Sequence, residues 1–442
     1  RQNHLGDWGT QFGMLIQYLE EHPDVRWQRD GETLAAGSVS RLNEQYRVAR
    51  QVFDTDPQFA DRARKRVVSL QAGDKETLAR WNAIVTESKR YFEQVYDRLG
   101  VLLTDADAVG ESFYNPLLSN VADELVTRGV AVLSDGALCV FFDDVRGPDG
   151  EPTPLIIRKR DGGFGYAATD LAAMTYRVRT LGARRILYVV DARQALHFRM
   201  VFATARRAGW LHEGVDVTHV AFGTVLGPDG KPFKTRDGGT VRLASLLDEA
   251  VARARATVEE RSGHLAAHIV EQTAKDVGIG AVKYADLSTN RTKDYVFDLD
   301  RMVSLSGNTG VYLQYAHARI RSILRRLPDN VADNVADNVA DNVEHVQLGS
   351  DVKLEPAERA LGFLLDELTA TLVSVADTLE PHRLCGYLYT LAQAFTGFYE
   401  SCPVLRAPSP AVRDARILLC RLTGDTLRLG LELLGIAAPD SL

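Results

Sequence analysis

Two apolar runs of strand length, Ile186 to Val190 and Val217 to Phe222, flank a stretch in which Phe198, Val201, Phe202 and Ala205 recur at helical spacing. Continuous apolar strands suit a sheet covered on both faces, and a strand-helix-strand crossover supplies both the parallel neighbour and the covering helix. The pattern predicts a β-α-β unit and an α/β fold for the middle of the chain. Ligands of such sheets bind beyond the carboxyl ends of the strands. The segment Asp191 to Gln194 and the loop after Phe222 are therefore candidate rim elements.

Upstream, Leu171, Met174, Val178 and Leu181 mark a further helix with Thr169 and Asp170 at its start. Residues 101–160 differ: short alternating runs (Val130 to Leu133, Leu138 to Phe142, Leu155 to Ile157) are separated by turns such as Ser134-Asp135-Gly136 and Pro148-Asp149-Gly150, which predicts a small β-rich insertion. From about 245 the pattern is helical, with Leu361, Leu364, Leu365, Leu368 and Leu372, then Leu418, Leu422, Leu429 and Leu433, and a helix bundle is expected. The repeat DNVADNVADNVADNVEHV (Asp329 to Val346) has no core-forming period and reads as a solvated loop without assigned function.

A chain of 442 residues, 45% hydrophobic and 25% charged, fits a globular protein of two or three domains. Its formal net charge of -7 gives no whole-molecule attraction to nucleic acid, so RNA binding would need local basic faces. Arg177, Arg179, Arg184 and Arg185 form one such cluster, and Arg319, Arg321, Arg325 and Arg326 another. Cys139, Cys385, Cys402 and Cys420 lack C-x-x-C spacing, which argues for buried thiols in a reducing compartment and against a zinc site or disulfide framework. No apolar stretch reaches a membrane-spanning length of roughly 18 residues and no signal peptide opens the chain. A cytoplasmic location, with no membrane partner, is expected.

The loop after Phe222 reads GTVLGPDGKPFKTRDGG (Gly223 to Gly239) and carries Lys231, Lys234 and Arg236. Glycines let backbone approach a polyphosphate, and ammonium groups offset charge developing in a phosphoryl transition state. An exposed hairpin with solvated lysines has the same composition. Tyr166, Asp170 and Gln194 offer a phenol, a carboxylate and an amide, the acceptors that suit a planar guanidinium. Asp170 could equally cap a helix, and Tyr166 and Gln194 could be packing and surface residues.

Several motifs in order resemble the class I arginyl-tRNA synthetases over essentially the whole chain. They are NHLGDWGTQFGMLI (Asn3 to Ile16), GES (Gly110 to Ser112), the Tyr166–Asp170 pair, VVDARQALHF (Val189 to Phe198), GPDGKPFKTR, GNTGVYLQYAHARIRSI (Gly307 to Ile323) and AQAFTGFYESCPVL (Ala392 to Leu405). The resemblance implies a Rossmann-like class I catalytic domain over 1–245, including the insertion at about 101–160, a helical stem at 246–300 and an all-α anticodon-binding bundle at 301–442. It implies that Asp170, Tyr166 and Gln194 hold the guanidinium of arginine and that Glu111 lies near the amino acid's polar end. Lys231 and Lys234 take the places of the KMSKS lysines, written KPFKT here, and Val225 and Leu226 lend backbone to adenine. Tyr312 and Tyr315 are candidates to stack on anticodon bases, although helix-core tyrosines would share their spacing. ATP with Mg2+, L-arginine and tRNA(Arg) are the implied substrates, and a monomer is expected.

The family's HIGH motif precedes the LGDWG segment, and the chain opens at Arg1 without Met, after that position. The expectation is a piece of a longer arginine–tRNA ligase. The alternative is a truncated, non-catalytic tRNA-binding paralogue, and a different nucleotidyl transferase would leave the guanidinium constellation unexplained.

Overall fold

The first half of the chain carries helices whose ends are fixed by caps. In the computed structural model the described residues are 2–25, 27, 38–147, 150–227, 229–232, 243–262, 266–327 and 353–442; the repeat at 329–346, Lys234 and Arg236 lie outside them. Two units divide the chain, Arg1–Tyr188 with Arg193–His219, and Val189–Ala192 with Val220–Leu442.

In the first unit β1 (Asn3–Leu5) and β2 (Ala108–Gly110) pair in parallel, Leu5 opposite Gly110. Between them in sequence run α1 (Thr10–Glu21), α2 (Ser38–Thr55), α3 (Pro57–Gln71) and α4 (Lys75–Leu99). Asp56 starts α3 by accepting the Gln58 N–H at 2.8 Å, with Pro57 in the first turn. Asp74 starts α4 by accepting the Thr77 N–H at 2.9 Å, and Gly100, at φ 64°, ends it. α1 and α3 close on each other at Gly13, where a Cβ would stand 2.6 Å from the Ala63 carbonyl oxygen. Met14, Ile16, Phe59, Ala63, Leu70 and Ile84 form the buried cluster around that contact.

The β-rich insertion expected over 101–160 is confined to β3 (Val132–Ser134), β4 (Ala137–Val140) and β5 (Leu155–Arg158), an antiparallel sheet. Asp135 and Gly136 both have positive φ, 47° and 78°, the two-residue turn whose twist matches a hairpin. The front of the segment holds β2 and α5 (Leu118–Thr127) instead, because Leu118, Val121, Ala122 and Leu125 bury at helical spacing.

α6 (Tyr166–Arg179) is capped by Gly165, so it starts ahead of the predicted Thr169–Asp170, and Leu181 lies beyond its end, exposed. The predicted β-α-β unit is present as β6 (Arg185–Asp191), α7 (Ala195–Arg207) and β7 (Asp216–Phe222). β6 pairs with β7, and the Asp216 N–H donates to the Arg184 carbonyl at 2.8 Å, so the strands start together and run the same way. β6 is not buried on both faces as its composition predicts. Ile186 and Tyr188 are buried, whereas Val189 is 66% exposed.

In the second unit β8 (Val225–Leu226) pairs in parallel with β9 (Tyr295–Val296). α8 (Leu243–Ser262) and α9 (Ala267–Ser288) approach most closely at Gly278, where a Cβ would meet Val251 backbone at 2.7 Å. The bundle follows: α10 (Leu299–Met302), α11 (Gly310–Leu324), α12 (Pro356–Asp366), α13 (Leu368–Thr378), α14 (His382–Ser401) and α15 (Pro410–Leu433). Leu313, Ile320, Leu388, Leu391, Phe395 and Leu427 are among its buried core. α15 buries Ile417, Cys420, Leu427 and Leu431; Leu422, Leu429 and Leu433 of the predicted stripe are exposed. All four cysteines are buried free thiols, and burial pushes those of Cys385 and Cys420 up to about 12. The two units part near residue 220, and β8, the strand after β7, pairs with β9.

One ion pair in this bundle is fully enclosed. Arg416 Nε donates to Glu358 Oε1 at 2.6 Å, Arg416 Nη1 to the Pro403 carbonyl at 2.9 Å, and Glu358 Oε2 accepts the Glu355 N–H at 2.6 Å. Removing one partner of such a pair leaves a buried charge, at a cost of about 3 kcal/mol or more, whereas an apolar pair of similar volume is tolerated. Arg416→Met is expected to lower unfolding free energy by that amount in urea titrations, and adding Glu358→Leu to recover most of it.

Candidate active site

β1 leads into Gly6 and Asp7, and β2 into Glu111 and Ser112. The buried Asp7 carboxylate accepts the Ser112 N–H at 2.9 Å and the Ser112 hydroxyl at 2.6 Å. A Cβ on Gly110 would overlap the same carboxyl group. The Gly-Glu-Ser sequence thus has a geometric reading: glycine permits the approach, serine grips Asp7, and Glu111 is held between them. Glu111 is raised to about 7, first by burial and then by the negative charges of Asp170 and Asp7.

Asp170 lies in the second turn of α6, and Gly165 holds the cap position, so the capping alternative does not apply. Its side chain is 15% exposed, and its Oδ2 lies 2.6 Å from His197 Nε2. Tyr166, first residue of α6, is 63% exposed; burial of its hydroxyl end, and then the Glu111 carboxylate, raise its phenol. Gln194 is exposed at the N-cap of α7. The structure therefore brings Tyr166, Glu111 and Asp170 together and ties Asp170 to the helix that Gln194 starts.

The sequence reading missed Asp7 and His197. A signal for His197 exists: it follows Gln194 by three residues, one helical turn away. Beneath the acids, His4 stacks on Tyr114 at 5.9 Å and is held below its usual range by burial and then by Arg177, against the opposing pull of Asp170 and Asp7. Arg177 Nε donates to Gln2 Oε1 at 2.7 Å.

The second unit holds the loop. The Gly227 N–H donates to the Lys231 carbonyl at 2.7 Å and the Gly230 N–H to the Gly227 carbonyl at 2.9 Å, with Gly230 at φ 71° and Leu226 bridged to Pro232. This hairpin places Lys231, exposed, on its returning arm. At the root, the Gly223 N–H donates to the Arg291 carbonyl at 2.7 Å, and a Cβ on Gly223 would stand 2.5 Å from the Lys293 carbonyl oxygen. The Thr224 N–H donates to Asp294 Oδ1 at 2.6 Å; Arg291 donates to the carbonyls of Ala221 at 2.8 Å and Leu379 at 2.9 Å. The Leu226 carbonyl accepts the Phe297 N–H at 2.8 Å and is committed to β9.

Of the two candidate stacking tyrosines, Tyr312 is half-buried with its ring edge-on to Tyr389 at 5.5 Å, while Tyr315 is exposed. The basic clusters are largely engaged: Arg179 pairs with Glu124 at 2.7 Å, Arg321 with Asp440 at 2.9 Å, and Arg319 lies over the Tyr399 ring at 4.4 Å.

Residues 1–299 match the model for the catalytic domain of class I (R) tRNA synthetases, and residues 313–442 the DALR anticodon-binding domain. The chain belongs to the class I arginyl-tRNA synthetases. It is 61% identical over 440 residues to the arginine–tRNA ligase of Frankia casuarinae, covering 100% of this chain and 72% of the relative, and 54% identical to that of Streptomyces avermitilis, covering 100% and 73%. An arginyl-tRNA synthetase structure from Plasmodium falciparum matches with a TM-score of 0.81 at 30% identity, covering 100% of this chain and 70% of its own. The Thermus thermophilus arginyl-tRNA synthetase structure, at 24% identity and a TM-score of 0.77, covering 100% of this chain and 75% of its own, shares the fold. Arginine–tRNA ligation, and not a non-catalytic tRNA-binding role, is the function these relationships support.

Glu111 gives this synthetase a pH signature. Its folded value, about 7, lies above the ordinary glutamate value of 4.5, so its ionisation destabilises the fold: the penalty is absent below 4.5, grows as pH rises and is complete above 7. Allowing for its partial exposure, the full effect is on the order of 1–2 kcal/mol. Glu111→Gln is expected to raise the thermal midpoint at pH 8 and leave it unchanged at pH 4, which calorimetry at the two pH values checks.

Proposed function

We propose that the acidic site of the first unit binds arginine by its two cationic groups. Asp170, with Tyr166 and Gln194, takes the guanidinium, and Glu111 takes the α-ammonium. The observation that carries this reading is the convergence of Glu111 and Asp170 in one half-buried site, where burial and then the charge of Asp170 raise Glu111. A ligand with separate positive groups relieves that cost, as a singly charged one does not.

The reaction joins arginine to tRNA(Arg) through an arginyl-adenylate. Arginine's carboxylate attacks the α-phosphorus of ATP and pyrophosphate leaves; the terminal ribose hydroxyl of the tRNA then attacks the activated carbonyl and AMP leaves. Mg2+ accompanying ATP would add to the neutralisation of phosphate charge. Lys231 and Lys234 neutralise charge on the phosphates as it develops, and backbone of Val225 and Leu226 contacts adenine. Tyr315, the exposed member of the tyrosine pair, stacks on an anticodon base, and Tyr312 serves packing. No helix among the described residues is long and apolar enough to cross a membrane. A monomer acting in the cytoplasm accords with the free buried thiols.

Asp170→Asn removes a charged acceptor without changing shape. It is expected to weaken arginine binding by about 10- to 100-fold, the worth of a hydrogen bond to a charged group, and to leave ATP binding intact; equal losses for both ligands contradict the assignment. Lys234→Ala is expected to slow ATP–pyrophosphate exchange, measured with tRNA(Arg) present, far more than it weakens arginine binding, as for a contact made mainly in the transition state. An unchanged exchange rate takes Lys234 out of the mechanism.

A further inference from the structure

A carboxylate recognises a guanidinium well only when its plane is set. The terminal torsion of aspartate is broad and roughly two-fold, so an unrestrained Asp170 would sample orientations that spoil a paired N–H···O contact. In this structure it is restrained. His197 Nε2 lies 2.6 Å from Asp170 Oδ2, while no described residue hydrogen-bonds Oδ1. Both side chains are largely withdrawn from water, 25% exposed for His197 and 15% for Asp170, so the bond faces little competition from solvent.

The placement of His197 gives the contact a second consequence. It lies in the first turn of α7, three residues after Gln194 at the N-cap of that helix, and residues three apart share a helix face. The bond to α6 therefore fixes the carboxylate acceptor and the helix end carrying the amide acceptor against each other. The His197 ring is itself steadied by an edge contact with Phe198, centroids 5.2 Å apart.

We infer that His197 is a positioning residue for guanidinium recognition: it holds one oxygen of Asp170 so that the other faces the substrate, and discrimination against uncharged isosteres depends on it. The inference rests on the reading above, in which Asp170 takes the guanidinium. Outer-shell partners of this kind hold a binding group in the productive orientation without touching the ligand.

The test compares His197→Ala, His197→Gln, Asp170→Asn and the His197→Ala/Asp170→Asn double variant with the unaltered protein. Dissociation constants for arginine, for citrulline as the uncharged isostere, and for ATP are measured by calorimetry alongside thermal midpoints. His197→Ala is expected to weaken arginine about tenfold, with citrulline and ATP within twofold. The Gln amide, donating from a similar position, is expected to restore most of the loss. On the Asp170→Asn background, His197→Ala is expected to add little, because the group it orients no longer carries the charge.

Arginine affinity within twofold of normal in His197→Ala, while Asp170→Asn is weakened, overturns the positioning role and leaves the guanidinium assignment standing. Tighter arginine binding in His197→Ala overturns it too, since His197 would then be a competitor for Asp170. Parallel losses of arginine and ATP without rescue by Gln reduce His197 to a structural residue. Unchanged arginine binding in Asp170→Asn overturns both readings together.

Discussion

Keeping like charges close in a partly dehydrated place is the constraint around which the first unit is organised. Burial first, and then the negative charges of Asp170 and Asp7, lift the Glu111 carboxyl to about 7. Each acid is handled differently. Asp7 accepts two hydrogen bonds from Ser112, Asp170 lies against His197, and the Glu111 carboxyl is raised. The parallel pairing of β1 with β2 sets this arrangement, because it brings the residues after Leu5 alongside those after Gly110. Without a glycine at 110 the carboxylate of Asp7 could not enter.

The second unit solves a different problem, how to hold a polar loop on a helical body. Backbone amides do most of it: Gly223 and Thr224 donate to Arg291 and Asp294, and β8 adds a short ladder to β9. The helices use apolar burial, with glycines at close approaches, Gly278 against the Val251 backbone and Gly430 against the Leu388 side chain. The enclosed Arg416–Glu358 pair is the exception, and in it Arg416 Nε and Nη1 end on Glu358 and the Pro403 carbonyl.

What could be read from sequence follows from what leaves a periodic trace. The β6-α7-β7 unit and the Ser134-Asp135-Gly136 turn were legible because strand runs, helical spacing and a positive-φ dipeptide are local signals. α2 to α4 carry sparse apolar residues among many charges, and their core forms with α1, a tertiary fact. The leucine stripe of α15 misleads because its buried face runs through Ile417, Cys420, Leu427 and Leu431 instead, with Gly424 and Gly430 admitting Ile320 and Leu388. For the candidate site, motif resemblance singled out Tyr166, Asp170, Gln194 and Glu111, since these lie in recognisable strings. Asp7 with Ser112, 105 residues apart, and Asp170 with His197, 27 apart, are partnerships of the folded chain. No spacing rule links them.

Arg291 joins places far apart in the sequence. Its guanidinium donates to Ala221 at the end of β7 and to Leu379, while its carbonyl accepts from Gly223. Leu379 sits at the end of α13 with a left-handed backbone, φ 57°, which a non-glycine residue adopts only under the grip of its surroundings. A single side chain thus links a left-handed corner of the bundle to the stem of the lysine loop. A backbone flip at that corner would be transmitted to the loop's anchorage in one step, mechanically, without passing through any hydrophobic core.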